Sequence, residues 1–315
     1  MKKLLITRVL PEANLAAARA RFDVTVRDTA DGLTVAEAAQ ALADYDAILP
    51  TLGDQFSAEA FIGDLRCGVL ANFGVGYNHI DAPAAGMAGV LVSNTPDVVT
   101  DATADIGLTL ILSTCRRAGE GERLVRADQW TGWGPTQMLG THVTGKTVGI
   151  VGMGRIGQAV ARRCHYGFEM PVLYFNRSRK EVEFPARQVD TLLDLMGAAD
   201  IIVVTVPGGG GNTELIDAAA LAAMKPTGIF VNIARGDVVD ESALITALAT
   251  EQIAGAGLDV FAHEPHVPDA FRALENVVLL PHLGTAALEI REAMGQMALD
   301  NIIAWEEGRP LPQAV

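Results

Sequence analysis

A glycine-rich segment near the middle of the chain constrains the fold more than any other feature. The sequence TVGIVGMGRIG fits G-x-G-x-x-G, with Gly152, Gly154 and Gly157 at the three glycine positions. An apolar run precedes the glycines and a helical sequence, QAVARRCH, follows them, which is the context that the pattern needs. Gly152 allows a tight turn, Gly154 lets the backbone approach a pyrophosphate, and Gly157 lets the helix pack closely on the strand. The segment predicts a dinucleotide site at a helix N-terminus, with an ordinary glycine-rich turn as the alternative.

The rest of the sequence alternates apolar runs with helical patterns. In the first third, KKLLITR, DVTVRD, YDAILPT and CGVLANFG predict buried strands, and PEANLAAARARF and TVAEAAQALAD predict helices between them. The second helix opens with Thr34, and Glu37 follows three residues later, which predicts a capping box. Later strands are predicted at PVLYFN, DIIVVTV, GIFVNIA, GAGLDV and NVVLLPH. This alternation of strands and helices predicts an α/β protein with parallel sheets covered by helices on both faces.

Three stretches depart from the alternation. Residues 101–128 predict one long amphipathic helical region that ends near Trp130. The following sequence TGWGPTQMLGTHVTGKT is rich in Gly and Thr and predicts an irregular segment. Residues 286–308 predict one long helix close to the C-terminus.

Composition excludes several classes of protein. The 315 residues carry a formal net charge of -14, which argues against general affinity for nucleic acid or for an acidic membrane surface. No apolar run reaches the ~18 residues that a membrane-spanning helix needs. Arg8 interrupts the apolar N-terminal stretch, which therefore predicts a first strand and not a signal peptide. The three scattered cysteines favour a reducing, cytoplasmic location.

Charged side chains follow three of the predicted strands. Arg235 ends the run VNIAR, Asp259 and Glu264 lie in GLDVFAHEP, and His282 lies in LLPHLGTAA. Ligands of open α/β sheets bind beyond the carboxyl ends of the strands, so these groups are candidates for one site. Taken singly, each residue also has an ordinary structural explanation, as a capping or solvated loop residue.

Five segments in this order resemble the D-2-hydroxyacid dehydrogenase family. They are NFGVGYNHID, GMGRIGQAVARR, NIARGDVVDESAL, GLDVFAHEP and LPHLGTA, and within the family they look most like the glyoxylate/hydroxypyruvate reductases. The resemblance covers nearly the whole chain. It implies a flavodoxin-like substrate domain made of residues 1–99 and 287–315, with a Rossmann cofactor domain, residues 100–286, inserted between them.

The resemblance also implies a catalytic set of Arg235, Glu264 and His282. Arg235 would hold the carboxylate of a 2-keto acid with its planar fork and polarise the ketone oxygen. His282 would give a proton to that oxygen as it becomes negative, and Glu264 would orient the imidazole and favour its charged form. The backbone of Val75 and Gly76 would bind the substrate carboxylate, as that loop does in relatives.

The same resemblance implies the contacts of the cofactor. Asp259 resembles the residue that contacts the nicotinamide carboxamide, and Thr103, in TDATAD, matches a cofactor contact of the family, although Asp105 replaces the usual Glu there. The resemblance implies further cofactor contacts away from the adenosine end of the dinucleotide. These residues are Gly152, Met153, Gly154, Arg155, Ile156, Gly157, Val206, Pro207, Thr213, Ile233, Ala234, His282 and Gly284.

The residues after the second strand of the glycine-rich unit indicate which dinucleotide is bound. NAD-binding relatives have an Asp where this chain has Asn176, and that carboxylate would repel the additional phosphate of NADP. Arg177 and Arg179 can form charge-assisted bonds to the phosphate, and Ser178 adds a hydroxyl. The sequence therefore predicts NADP(H) and reduction as the working direction, with NAD(H) as the alternative cofactor and a solvated basic loop as the structural alternative.

Substrate, assembly and rival functions complete the expectations. Leu52 and Met294 are expected in the wall of the substrate pocket. Glyoxylate, hydroxypyruvate, 2-ketogluconate and phenylpyruvate remain open as substrates, and phosphoglycerate dehydrogenase or a cofactor-sensing corepressor are rival functions.

The apolar residues between 101 and 139 predict a homodimer. Whether Trp130 or Trp133 reaches the active site of the partner subunit is left open. The HEPH sequence has the wrong spacing and an interrupting proline for a helical zinc motif, so no metal is expected.

Overall fold

A computed structural model describes all residues from Met1 to Val315. The chain divides into two compact units, residues 1–99 with 285–315, and residues 100–284. We call them the terminal unit and the central unit. The sequence-based boundary between residues 286 and 287 lies just beyond the boundary at 284 and 285 in the structure.

Every strand pairs in parallel with its neighbours. The strands are β1 Lys3–Ile6, β2 Asp23–Val26, β3 Ala47–Leu49, β4 Val69–Ala71, β5 Leu91–Ser93, β6 Val148–Val151, β7 Val172–Phe175, β8 Ala186–Gln188, β9 Ile201–Val204, β10 Ile229–Asn232, β11 Gly255–Leu258 and β12 Val277–Leu279. Five of them, β3, β4, β6, β9 and β11, are apolar throughout and fully buried, as parallel strands covered on both faces require.

Helices connect the strands. They are α1 Glu12–Arg19, α2 Val35–Asp44, α3 Ala82–Met87, α4 Thr100–Cys115, α5 Ala118–Arg126, α6 Arg155–Phe168, α7 Leu192–Ala198, α8 Ala218–Ala222, α9 Glu241–Ala249, α10 Asp269–Ala273 and α11 Leu288–Glu306. The predicted capping box is present at the start of α2, where Thr34 accepts from the Glu37 amide and Glu37 accepts from the Thr34 amide. No helix is both long enough and apolar enough to cross a lipid bilayer.

The terminal unit contains a five-stranded sheet in the order β2-β1-β3-β4-β5. This is the flavodoxin-like order, in which the chain reverses direction between β1 and β3. The long C-terminal helix α11 packs on this sheet through Ala298, Leu299 and Ile302, which share a core with Leu4 and Ile6 of β1. This packing places the last part of the chain in the same unit as the first.

The central unit contains a seven-stranded sheet in the order β12-β11-β10-β9-β6-β7-β8. Its first strand, β6, lies between β7 and β9, so the chain reverses direction there, as it does in a Rossmann fold. A ligand is expected at such a reversal point, beyond the carboxyl ends of the strands. The predicted α/β class with two doubly wound parallel sheets is confirmed.

The helical region predicted over residues 101–128 is present, but it is not continuous. The region contains two helices, α4 and α5, because Arg117 has a left-handed backbone with φ of 53°. The segment around Thr141 returns to the C-terminal end of α4, where the Thr141 amide donates to the Cys115 carbonyl at 2.7 Å. A Cβ on Gly140 would lie 2.3 Å from that carbonyl oxygen, so only glycine fits this crossing. The short strands β5 and β8 were not predicted.

Candidate active site

The glycine-rich turn follows β6 and leads directly into α6. Gly152 has φ of +97°, and a Cβ there would lie 2.7 Å from Cγ1 of Val206. A Cβ on Gly157 would lie 2.2 Å from the Gly152 carbonyl oxygen, so this glycine lets α6 lie against the turn. At Gly154 a Cβ would meet nothing within 4 Å. The space beside Gly154 and the amides of the uncapped first turn of α6 together fit a pyrophosphate.

Asn176 connects the end of β7 to the glycine-rich turn. Its Oδ1 accepts from the Met153 amide at 3.2 Å, and its Nδ2 donates to the Ser178 carbonyl at 2.7 Å. Arg177 and Arg179 are exposed in the same loop, and neither forms an ion pair. Asn176 therefore shapes a short basic loop beside the dinucleotide turn.

The other expected cofactor contacts lie in the central unit. Val206 and Pro207 follow β9, Ile233 and Ala234 follow β10, and Asp259 follows β11. Arg155 and Ile156 begin α6, while Thr213 follows a short helical turn, Gly210–Asn212. The structure thus places most of these residues in loops after the strands of one parallel sheet.

Arg235 lies three residues beyond β10 in a turn that Asn232 supports. Asn232 is 1% exposed; its Oδ1 accepts from the Ala234 amide at 3.0 Å, and its Nδ2 donates to the Arg235 carbonyl at 2.9 Å. The guanidinium donates through Nη1 to the Ala234 carbonyl and has no carboxylate within 4 Å. Burial lowers the pKa of Arg235, although Glu264 and Asp237 oppose this effect by charge attraction. The result is a half-buried cation with several donors left over.

Glu264 and His282 form a hydrogen-bonded pair in the loops after β11 and β12. Nδ1 of His282 lies 2.8 Å from Oε2 of Glu264, and the Phe261 amide donates to Oε1 of the same carboxylate. Burial raises the pKa of Glu264, but its hydrogen bond to His282 and the attraction of His282 and Arg235 outweigh burial, so the pKa lies below its ordinary value. Nε2 of His282 makes no hydrogen bond to the protein, which leaves this ring nitrogen to face a ligand.

Asp259 fixes the loop that carries His282. Its two carboxylate oxygens accept from the amides of Leu283 and Gly284, at 2.7 and 2.9 Å, and its own carbonyl accepts from the His282 amide. Thr103 adds a bond from its hydroxyl to the Gly284 carbonyl at 3.2 Å. Burial raises the pKa of Asp259, and the two amides oppose this only in part. His282 itself has φ of 54°, a conformation that needs support from its surroundings.

His263 and His266 of the HEPH sequence lie in a tight turn. The His266 amide donates to the His263 carbonyl at 2.8 Å, and the two residues pair as an isolated bridge. The structure contains no group of three or more His, Cys, Asp or Glu side chains arranged to hold a metal ion.

The expected substrate residues Leu52, Val75, Gly76 and Met294 lie in the terminal unit. Leu52 and Val75 are exposed, in the loops after β3 and β4. Met294 lies within α11 and is only 2% exposed, so its side chain presents little surface to a ligand. The structure therefore places Leu52, Val75 and Gly76 in loops at strand ends, and Met294 in the interior.

A buried network holds the Leu52 loop, and sequence reasoning did not find it. Asp54 is fully buried and accepts from the Thr7 hydroxyl at 2.6 Å and from the Thr51 amide at 2.8 Å. Arg8 donates to the Leu52 carbonyl at 2.7 Å. The available signal was a base and an acid in the loops after β1 and β3, the two strands at which the sheet order reverses.

Sequence reasoning also missed three asparagines, Asn72, Asn94 and Asn232. Each lies at or just after the end of a strand, and the side-chain amide of each donates to a backbone carbonyl of a nearby loop. A polar residue at the end of an apolar strand, next to a glycine-rich or charged loop, was the signal in all three cases.

Comparison with known proteins identifies similar chains. Residues 108–284 match the model of the D-isomer specific 2-hydroxyacid dehydrogenase NAD-binding domain. The glyoxylate reductase of Thermococcus onnurineus is 42% identical, over 99% of this chain and 95% of the relative. The glycerate dehydrogenase of Hyphomicrobium methylovorum is 36% identical, over 100% and 99%.

A solved structure gives the same result for the fold. The NADPH-dependent glyoxylate/hydroxypyruvate reductase from Sinorhizobium meliloti, in complex with NADP and malonate, superimposes with a TM-score of 0.89 at 34% identity, over 100% of this chain and 96% of that one. The expected enzyme class and nicotinamide cofactor are confirmed. The chain is an oxidoreductase that belongs to the D-isomer specific 2-hydroxyacid dehydrogenase family.

Proposed function

We propose that the protein reduces a small 2-keto acid, glyoxylate or hydroxypyruvate, to the 2-hydroxy acid with NADPH, and forms the D-isomer when the product is chiral. The observation that carries the proposal is the 2.8 Å hydrogen bond between His282 and Glu264, in the loops of the sheet that also bears Arg235 and the dinucleotide turn. The names of the Thermococcus and Sinorhizobium relatives support this choice of substrate.

The three side chains have complementary roles in this reaction. Arg235 binds the substrate carboxylate and polarises the ketone with donors that no carboxylate of the protein occupies. His282 holds its transferable proton on Nε2, because Nδ1 is engaged by Glu264. Glu264 stabilises the imidazolium form and fixes the direction of the ring. The reduced nicotinamide, when bound, supplies the hydride.

The preference for NADPH is proposed from the loop after β7. Asn176 removes the carboxylate that would repel the 2′-phosphate, and its hydrogen bonds to Met153 and Ser178 shape the loop. Arg177 and Arg179 have no carboxylate partner in the protein, so their charge is available to an anion. They stand out against a net charge of -14.

A homodimer is proposed from the exposed apolar surface of the central unit. Val125 on α5 is 60% exposed, Trp130 55%, Trp133 83% and Leu139 67%. Exposed apolar surface marks interaction sites on folded proteins. The side chains that a partner would cover lie in and just after α5.

The test is a turnover assay with NADPH, NADH and a panel of glyoxylate, hydroxypyruvate, 2-ketogluconate and phenylpyruvate, with chiral analysis of every product except the achiral glycolate. We expect glyoxylate or hydroxypyruvate to have the highest kcat/KM and NADPH to be preferred. His282→Ala should lower the rate roughly 10²- to 10⁴-fold. His165→Ala, in the same unit and also hydrogen-bonded through Nδ1, is the matched control and should retain turnover.

Other outcomes select the rival functions. The highest kcat/KM on 2-ketogluconate or phenylpyruvate would make the protein a reductase of larger keto acids. Turnover confined to 3-phosphohydroxypyruvate, added as a further substrate, would indicate phosphoglycerate dehydrogenase. Cofactor binding without turnover of any keto acid would favour a cofactor-sensing corepressor.

A further inference from the structure

Asn72 binds two carbonyl groups of the glycine-rich loop that follows β4. Its side chain is 1% exposed, and Nδ2 donates to the Gly74 carbonyl at 3.0 Å and to the Gly76 carbonyl at 3.1 Å. Its own backbone amide donates to Ser93 of the neighbouring strand β5, which fixes the asparagine in the sheet. One buried amide group therefore ties two points of the loop to the sheet.

Two residues after β5 bind the rest of the same loop. Nδ2 of Asn94 donates to the Val75 carbonyl at 2.9 Å, and the Thr95 amide donates to the Gly74 carbonyl at 3.0 Å. All three carbonyls of Gly74, Val75 and Gly76 are thus hydrogen-bonded within the terminal unit.

The direction of the carbonyls decides the direction of the amides. In a planar trans peptide the C=O and the following N–H point in opposite directions. Fixing the Gly74 carbonyl therefore turns the Val75 N–H away from Asn72, and fixing the Val75 carbonyl turns the Gly76 N–H away from Asn94. Neither of these N–H groups donates to a protein atom. Successive free amides of this kind form a site for an anionic oxygen.

We infer that Asn72 and Asn94 are positioning residues, which hold the Val75 and Gly76 amides toward the substrate carboxylate. The inference rests on the proposed function, because it takes a 2-keto acid as the anion. The two asparagines act through the backbone and do not touch the substrate. The amide group is required at both positions, because a carboxylate cannot donate to a carbonyl oxygen.

The experiment compares Asn72→Asp and Asn94→Ala with the wild type, using glyoxylate and its uncharged methyl ester as substrates and oxamate as an unreactive ligand. We expect each variant to raise the KM for glyoxylate and the Kd for oxamate about tenfold, which is the effect of losing part of one hydrogen bond to a charged group. The KM for the ester, kcat and the Kd for NADPH should change much less. The preference for the acid over the ester should therefore fall.

Asn14→Ala is the matched control. Asn14 is also buried in the terminal unit, and its Nδ2 also donates to one backbone carbonyl, that of Glu292. This variant should lose thermal stability without a change in the preference for acid over ester. An equal change in Asn14→Ala would show a general effect of destabilisation and overturn the inference.

The remaining outcomes separate this inference from the proposed function. A wild type that reduces no 2-keto acid would overturn both. A wild type that reduces glyoxylate, with variants that keep its KM and the affinity for oxamate, would overturn the inference alone. If Asn72→Asp does not fold, the measurements on Asn94→Ala still test the inference. Asn94 is partly exposed and binds a single carbonyl, so its replacement disturbs the fold less.

Discussion

Nδ1 of His282 lies 2.8 Å from Oε2 of Glu264, although the two residues are 18 positions apart and follow different strands. Two adjacent parallel strands, β11 and β12, end at the same edge of the sheet and bring the loops together. The Phe261 amide holds the second oxygen of Glu264, so the carboxylate has a fixed direction. The histidine is thereby left with one free ring nitrogen.

Replacing Glu264 by Gln should move the pH dependence of reduction. In the proposed mechanism His282 gives a proton to the substrate, and it contacts a carboxylate whose own pKa is lowered by the same contact. Glutamine keeps a hydrogen-bond acceptor but removes the negative charge, so kcat/KM should fall and its dependence on pH should change. A rate profile of kcat/KM against pH for both proteins checks this, and coincident profiles would show that the two residues are not coupled.

The same substitution should alter stability in acid. Burial raises the pKa of Glu264, but the contact with His282 lowers it by more, so the net shift is downward. The folded protein therefore binds this proton less tightly than the unfolded chain does. The interaction therefore stabilises the folded state above the ordinary pKa of 4.5 and is lost as pH falls through the folded value. Denaturant titrations should show the wild type and Glu264→Gln converging in acid; a constant difference in unfolding free energy would contradict this.

Replacing Asp259 by Asn should reduce the rate more than it weakens cofactor binding. An asparagine can accept only one of the two bonds from Leu283 and Gly284, and an amide group would then face a backbone N–H. Loss of that buried bond costs about 1–3 kcal/mol of stability and loosens the His282 loop. Steady-state kinetics should show kcat falling roughly ten- to a hundredfold. A large rise in the Kd of NADPH with unchanged kcat would instead support the expected nicotinamide contact.

The cofactor preference should depend on Arg177 and Arg179. The double variant Arg177→Ala plus Arg179→Ala should bind NADPH more weakly, by roughly ten- to a hundredfold in affinity for each charged bond lost. Its affinity for NADH should change little. Adding Asn176→Asp should move the preference further toward NADH. Measurements of kcat/KM with both cofactors, at low and high salt, decide the matter. Arg187→Ala, an exposed arginine in the neighbouring strand β8, is the control and should keep the ratio.

The exposed tryptophans should mediate assembly. Trp133→Glu places a charge on a side chain that is 83% exposed in the single chain, so it should prevent a dimer without unfolding the monomer. Static light scattering at micromolar concentration should give a dimer mass for the wild type and a monomer mass for the variant. Met87→Glu, equally exposed in the terminal unit, should leave the dimer intact. A monomeric wild type would refute the proposal.

The three cysteines should be unreactive in the folded protein. Burial raises the pKa of the Cys67 and Cys164 thiols to about 12 and that of Cys115 to about 11. The reactive thiolate is therefore scarce at pH 8, and each sulfur is also shielded from reagent. Ellman's reagent should label no thiol in native protein and three in denaturant. Rapid labelling of one native thiol would mean that its surroundings open readily.

The sequence alone determined the fold class, the dinucleotide turn and the three catalytic candidates. These features are local: the turn needs Gly152 and Gly157 because no Cβ fits there, and parallel buried strands need continuous apolar runs. The family likeness rests on the same short segments, each readable without knowledge of the rest of the chain.

Only the tertiary structure decided which groups meet. The break at Arg117 depends on the chain returning to Cys115, and the buried state of Met294 depends on packing around α11. Likewise, the carbonyls bound by Asn72 and Asn94 depend on β4 and β5 being neighbours in the sheet. Such contacts join residues that are distant in the chain, and their geometry follows from strand register and helix packing, which local propensity does not specify.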